Sequence, residues 1–189
     1  MDEMMGKMLS ALLALCIAHL LTFSPLQAAD VPQLGADATS DELIDALTPR
    51  PGTPALQYRG LHLLTATPSS GSDAQMPAVG LDIKFKLNSA QLTPDAKETI
   101  KQLAAAMRSS TLEKYHFLVE GHTDSTGSAE HNLTLSKSRA EAVRSQLLKV
   151  YGVAPTRLEA VGRGQTQPLD PADSKNPANR RVQVVNIGQ

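Results

Sequence analysis

Two short stretches gather most of the side chains able to do chemistry: Gly121-His122-Thr123-Asp124-Ser125-Thr126-Gly127 and Asn132-Leu133-Thr134-Leu135-Ser136-Lys137-Ser138-Arg139-Ala140. If the second stretch is helical, Asn132 and Arg139, seven positions apart, lie roughly 20° from each other on the shoulder of an apolar stripe. Each is then half buried and turned toward the loop that carries Asp124. The free backbone amides at the start of such a helix favour an anion. An acceptor, a fork of donors and a nest of amides can thus converge on one cleft. That set is shaped for a zwitterion, with Asp124 taking an ammonium while Arg139 and the amides hold a carboxylate. Asp124 and Arg139 could equally pair with each other to fasten loop to helix, and spacing alone leaves both readings open.

Other chemistries fit less well. His122, Asp124 and His131 have metal-ligating types, and strand parity puts 122 and 124 on one side, but a surface histidine at a strand end is the commoner outcome, so no metal is expected. Ser125, Ser128 and Ser136 lack the strand-turn-helix elbow that activates a nucleophile, so no catalytic residue is expected and the chain reads as a non-enzyme. Gly162-Arg163-Gly164 lacks the third glycine and the following helix of a dinucleotide loop, and no cofactor is implied. Lysine plus arginine total 18 against 19 acids, and without residues 1–28 the balance is 17 against 17. Bulk charge therefore attracts no polyanion, and Arg180-Arg181 is too short a basic run for nucleic acid. With no Trp, 3 Tyr and 3 Phe, the chain is poor in rings on which bases or sugars stack.

The elements that must position these residues follow from periodicity. Val79, Leu81, Ile83, Phe85 and Leu87 alternate with polar residues or glycine, predicting a strand over 79–87 with one buried face. Thr93-Pro94-Asp95 opens a helix with a capping hydroxyl, a proline where no amide bond is lost and an acid at the positive end of the dipole. Ala96, Ile100, Leu103 and Met107 form its stripe. Tyr115, Phe117 and Val119 predict a second strand ending at Glu120-Gly121. A polar loop, 122–131, leads to a second helix from near Asn132, with Ala140, Val143, Leu147 and Tyr151 on one face and Gly152 as its stop. Leu158-Glu159-Ala160-Val161 and Arg181-Val182-Gln183-Val184-Val185 supply two more strands. The order β-α-β-α-β-β predicts an α+β fold, a two-layer α/β sandwich with a right-handed crossover between the first two strands and one sheet face partly open.

Ahead of this domain (79–189), Lys7, the apolar run Met8–Phe23 and Ser24-Pro25-Leu26-Gln27-Ala28-Ala29 have the order of a secretory signal peptide, 1–28. The only cysteine, Cys16, sits inside that run in a poor match to a lipoprotein box, so thiol and disulfide chemistry are absent from the rest. Residues 29–78 carry repeated prolines and Pro68-Ser69-Ser70-Gly71-Ser72, predicting a mostly extended linker without a core. One short helix is expected near 41–47, capped by Ser40 and stopped by Thr48-Pro49.

Several motifs in order point further: Phe85-Lys86-Leu87-Asn88-Ser89-Ala90-Gln91-Leu92, Gly121-His122-Thr123-Asp124 with Gly127, Asn132 with Leu135-Ser136 and Arg139-Ala140, Arg157-Leu158, Gly162 with Gly164, and Asn179-Arg180-Arg181-Val182. On these, residues 83–185 resemble the OmpA-like C-terminal domain, the peptidoglycan-binding module found also in the peptidoglycan-associated lipoprotein and in flagellar stator proteins. The resemblance implies that Asp124 and Arg139 clamp the amino-acid end of meso-diaminopimelate in the peptidoglycan stem peptide. It also implies that Asn88, Thr123 and Asn132 line the pocket, with Arg180 facing the helix layer by strand parity and Arg181 pointing away. Lys86 departs from the acidic residue frequent at its position. The implied protein is periplasmic, wall-associated, with outer-membrane association possible, and contributes to envelope integrity. The alternative is a periplasmic scaffold that recruits an envelope protein partner through residues 40–65.

Overall fold

The computed structural model describes residues 31–50 and 76–189. The expected signal peptide over 1–28, with Cys16, lies outside the described residues, as do residues 51–75 of the expected 29–78 linker.

The elements in chain order are β1 (Gln33–Leu34), α1 (Ser40–Leu47), β2 (Ala78–Leu81), α2 (Pro94–Met107), β3 (Phe117–His122), α3 (Ala129–Lys149), β4 (Leu158–Gly164) and β5 (Val182–Asn186). The strands form one mixed sheet in the order β1-β2-β5-β3-β4. β5 runs antiparallel to both β2 and β3, while β1 with β2 and β3 with β4 pair in parallel. β2 and β3 are therefore parallel but not adjacent, because β5 is inserted between them.

Phe117 and Val119 point to the helices with Val79, Leu81, Val182 and Val184, and the core closes over them with Ile100, Leu103 and Met107 of α2 and Ala140, Val143 and Leu147 of α3. The opposite face carries Leu118, Val185 and Ile187. This is the expected two-layer α+β arrangement, with three helices rather than two. The third is α1. Leu43 and Leu47 are fully buried in the same core, and Ala36 and Asn186 tie the segment in, through Thr99 Oγ1 donating to the Ala36 carbonyl (2.9 Å) and Asn186 Nδ2 to that of Leu47 (2.9 Å). Residues 31–50 are thus part of the folded unit, which corrects their assignment to a coreless linker: one apolar turn suffices once α2 supplies the other half of the contact. The cap of α1 is Thr39 rather than Ser40, in a capping box with Glu42.

Two boundaries also move. β2 stops at Leu81, and residues 82–92 form a hairpin-like turn closed by a Phe85–Leu92 bridge, with Leu87 92% exposed. The alternation through Leu87 misled because no strand lies beside 83–87 to extend the ladder. α3 starts at Ala129, three residues before Asn132, since Ser128 caps it by accepting from the His131 amide. Its other end follows expectation: Gly152, at φ +69°, lets the Val153 amide reach back to the Leu147 carbonyl at 3.1 Å.

α3 lies unusually close to the sheet. A Cβ on Gly121 would collide with the Ser136 carbonyl oxygen, and one on Gly162 would come 2.5 Å from the Lys137 nitrogen. Ser136 Oγ accepts from the Gly164 amide at 2.9 Å, filling the remaining gap. Glycines on β3 and β4 thus set the height of the helix turn that carries Arg139.

Candidate binding site

Because β5 opposes β2 and β3, the carboxyl ends of β2 and β3 and the amino end of β5 meet at one end of the sheet. A cleft of about 210 Å³ opens there, lined by Lys84, Phe85, His122, Arg139, Arg180 and Arg181 among others.

Arg139 reaches it from α3. Its Nε donates to the Ser89 carbonyl at 3.1 Å, and its guanidinium carbon lies 5.0 Å from the centre of the Phe85 ring. The 82–92 turn therefore holds the guanidinium by one edge and one face. Its terminal nitrogens take no hydrogen bond and no ion pair among the described residues. Burial pulls its pKa down, the Arg180 charge adds to that, and Asp124 offsets part.

Asp124, two residues beyond β3, does not pair with Arg139. Its Oδ2 accepts from Arg180 Nη1 at 2.7 Å and its Oδ1 from the Thr126 amide at 2.9 Å. Burial alone would raise the carboxyl, but the Arg180 and Thr126 hydrogen bonds outweigh it and hold the group below the usual aspartate value. The loop-to-helix fastening by an Asp124–Arg139 bond is thus replaced by a loop-to-strand one. Arg180 precedes β5 with φ −84° and ψ 88°, so strand parity does not govern it; it is free to turn toward Asp124, its side chain 49% exposed.

Asn132 fixes the loop rather than the cleft. It is buried, and its Nδ2 faces the carbonyls of Asp124 (3.2 Å) and Thr126 (3.1 Å) and Gln165 Oε1 (2.8 Å). Thr123 is also buried, its hydroxyl without a hydrogen-bond partner among the described residues. Asn88 is exposed at the tip of the turn with φ +46°, one residue before the carbonyl that holds Arg139. Of the six expected site residues, then, Asp124, Arg139 and Arg180 come together, and Asn132, Thr123 and Asn88 stand behind or beside them.

A second polar group underlies the cleft on the sheet face away from the helices. Glu120 accepts from Arg163 Nε at 2.8 Å, with His122 Nε2 3.9 Å from its other oxygen, too far for a hydrogen bond. Arg181 is 6% exposed and donates to Gln183 Oε1 at 3.2 Å and the Gln167 carbonyl at 3.4 Å. Burial lowers its pKa to about 10 despite Glu120, and burial likewise keeps His122 neutral near pH 7 by lowering its pKa. Arg181 does point away from Val182, but into this buried group and not into solvent. Its sequence signal was the parity it shares with Glu120 and His122 across the β3–β5 ladder, invisible until the pairing is known. Among the described residues no three His, Cys, Asp or Glu side chains cluster as metal ligands would.

Comparison with known proteins matches this architecture. The chain is 34% identical over 168 residues to outer membrane porin F of Pseudomonas aeruginosa, covering 86% of this chain and 46% of the porin. It is 33% identical over 131 residues to the peptidoglycan-associated lipoprotein of Brucella melitensis, covering 68% of this chain and 76% of the lipoprotein. The chain thus spans less than half the length of the porin. A crystal structure of a MotB-like protein from Desulfovibrio vulgaris superposes with a TM-score of 0.51 at 25% identity, covering 59% of this chain and 73% of that one. The profile of the OmpA family matches residues 84–182, from within the Arg139-holding turn to the first residue of β5. With the fold, the cleft and that match in agreement, the chain belongs to the OmpA family.

Proposed function

We propose that the chain is a non-catalytic module that binds peptidoglycan in the periplasm by gripping the zwitterionic end of meso-diaminopimelate, tethering its N-terminal attachment, at or near the outer membrane, to the wall. The observation that carries this reading is Arg139. A half-buried guanidinium held by the Ser89 carbonyl and the Phe85 ring, with its terminal nitrogens unspent beside a cleft, is costly to fold unless something anionic completes it. A ligand carboxylate on those nitrogens supplies the missing bidentate partner. Its ammonium, one carbon away, would meet Asp124, exchanging with Arg180 or sharing the carboxylate with it. Relatives named for peptidoglycan association and for the outer membrane support peptidoglycan as the target and the same location.

The test is retention on insoluble peptidoglycan. Asp124→Ala and Arg139→Ala each lose retention while keeping the wild-type melting temperature within a few degrees; unchanged retention in both variants sinks the clamp. Recruitment of an envelope protein through residues 40–65 is the competing reading. Its first part is constrained by the core, since Leu43 and Leu47 are buried against α2, leaving only the polar side of α1 to a partner.

A further inference from the structure

The cleft holds more positive charge than a zwitterion needs. Asp124, bonded to the lining residue Arg180, has its carboxylate already engaged, Oδ2 by Arg180 Nη1 at 2.7 Å and Oδ1 by the Thr126 amide at 2.9 Å. Asp82, which lines the cleft, is likewise engaged, 2.7 Å from Nζ of Lys84, which also lines it, so that pair adds no net charge. Arg139 and Arg180 line the same space, and of the two only Arg180 has an acidic partner among the described residues. The group Asp124, Arg139 and Arg180 therefore carries one uncompensated positive charge. Behind it, Arg181 is buried with Nε and Nη1 unpartnered among the described residues, and the one carboxylate that offsets it, Glu120, is shared with Arg163, so this group too is positive.

A ligand end bearing one ammonium and one carboxylate is neutral. The same end with its carboxylate converted to a carboxamide carries a net positive charge into a site that is already positive, and it also replaces the acceptor that Arg139 lacks with a donor on one side. We propose that the surplus guanidinium makes this cleft discriminate between free and amidated diaminopimelate, and that Arg180, by holding the surplus in place, sets the size of that discrimination. This rests on the diaminopimelate reading above and narrows it to walls whose stem peptides keep that carboxylate free. Amidation acts here as a chemical mark the cleft rejects.

The experiment measures affinity of the chain for two soluble tetrapeptide stems by titration calorimetry: one containing meso-diaminopimelate and one with the carboxylate of its zwitterionic end amidated. The free form binds at least tenfold tighter to the wild type. Arg180→Gln removes the surplus charge, so the ratio between the two ligands falls several-fold, whatever happens to affinity for either. Arg180→Lys keeps the charge without the fork and preserves the ratio. A variant that merely loosened the loop would weaken both ligands together and leave the ratio unchanged in both substitutions. Equal binding of the two stems by the wild type, or an unchanged ratio in Arg180→Gln, overturns this inference while leaving the clamp itself standing. Binding of neither stem sinks the clamp and the inference together.

Discussion

An arginine presented with one nitrogen bonded, one face stacked and two nitrogens open is a different reagent from a lysine at the same place. Arg139 donates through Nε to Ser89 and keeps a planar pair for a carboxylate, whereas a lysine ammonium is a single rotating point charge that cannot serve the Ser89 carbonyl and the ligand with the same geometry. Arg139→Lys is therefore expected to bind peptidoglycan at least about tenfold more weakly, a loss on the order of 1.4 kcal/mol or more, in a pull-down titration. Lysine binding as well as arginine would contradict recognition by the fork. Asp124 makes a pH prediction whose sign follows from its depressed pKa. A carboxyl with a lower pKa folded than unfolded contributes stability that is fully present above the unfolded value and is lost as pH falls through the folded one. The difference in melting temperature between the wild type and Asp124→Asn should thus be constant above about pH 5 and close as pH drops below about 3.9. A difference that instead widened in acid would mean that Asp124 is not the acceptor of the Arg180 bond.

At the scale of elements, the decisive contact is α3 lying on β3 and β4. Gly121 and Gly162 are required by proximity, not by backbone angle, since neither has a positive φ and both would drive a Cβ into the backbone of α3. Backbone cannot swing aside as a long side chain can, so Gly121→Ala must push the helix outward or bend the strand. The expected cost is about 1–3 kcal/mol of stability by denaturant unfolding, the range for overpacking a tight site. Because Arg139 rides on the same helix less than one turn from Ser136, retention on peptidoglycan should fall more than stability alone explains. Full retention at a temperature where the variant is folded would show that the height of α3 does not set the clamp. The 82–92 turn is the other element of the grip: Asn88 at φ +46° and the Lys86–Gln91 backbone bond (3.0 Å) shape it so that the Ser89 carbonyl faces Arg139.

For the whole molecule, the folded unit begins earlier than residue 79. β1 adds a parallel edge to β2, and α1 closes the core over α2 with Leu43 and Leu47, while Asn186 near the far end of the chain fastens the last residue of α1. Leu43→Ala should cost about 2–5 kcal/mol, the range for emptying a fully buried leucine site. A chain beginning at residue 77 should melt well below one beginning at residue 31 and should expose the apolar side of α2 that α1 covers. Equal melting temperatures would mean that residues 31–50 pack without stabilising.

Local chemistry accounts for the elements and for part of the grip. The Thr93-Pro94-Asp95 start of α2, the Gly152 end of α3 and the alternation of β3 and β5 all rest on interactions within a few residues, which is why they could be read along the chain. The closeness of Asp124 and Arg139 was legible on the same grounds, from helical period and the loop before it. Which arginine Asp124 holds was not, because Arg180 lies 56 residues away and reaches it only through the insertion of β5 between β2 and β3. Strand order is decided by how the layers bury their apolar faces together, and no period along one strand encodes its neighbours. The same cause made Leu87 look buried when no strand stood beside it, left the short helix α1 looking like part of a coreless linker, and hid the Glu120, Arg163 and Arg181 group that supports the cleft from behind.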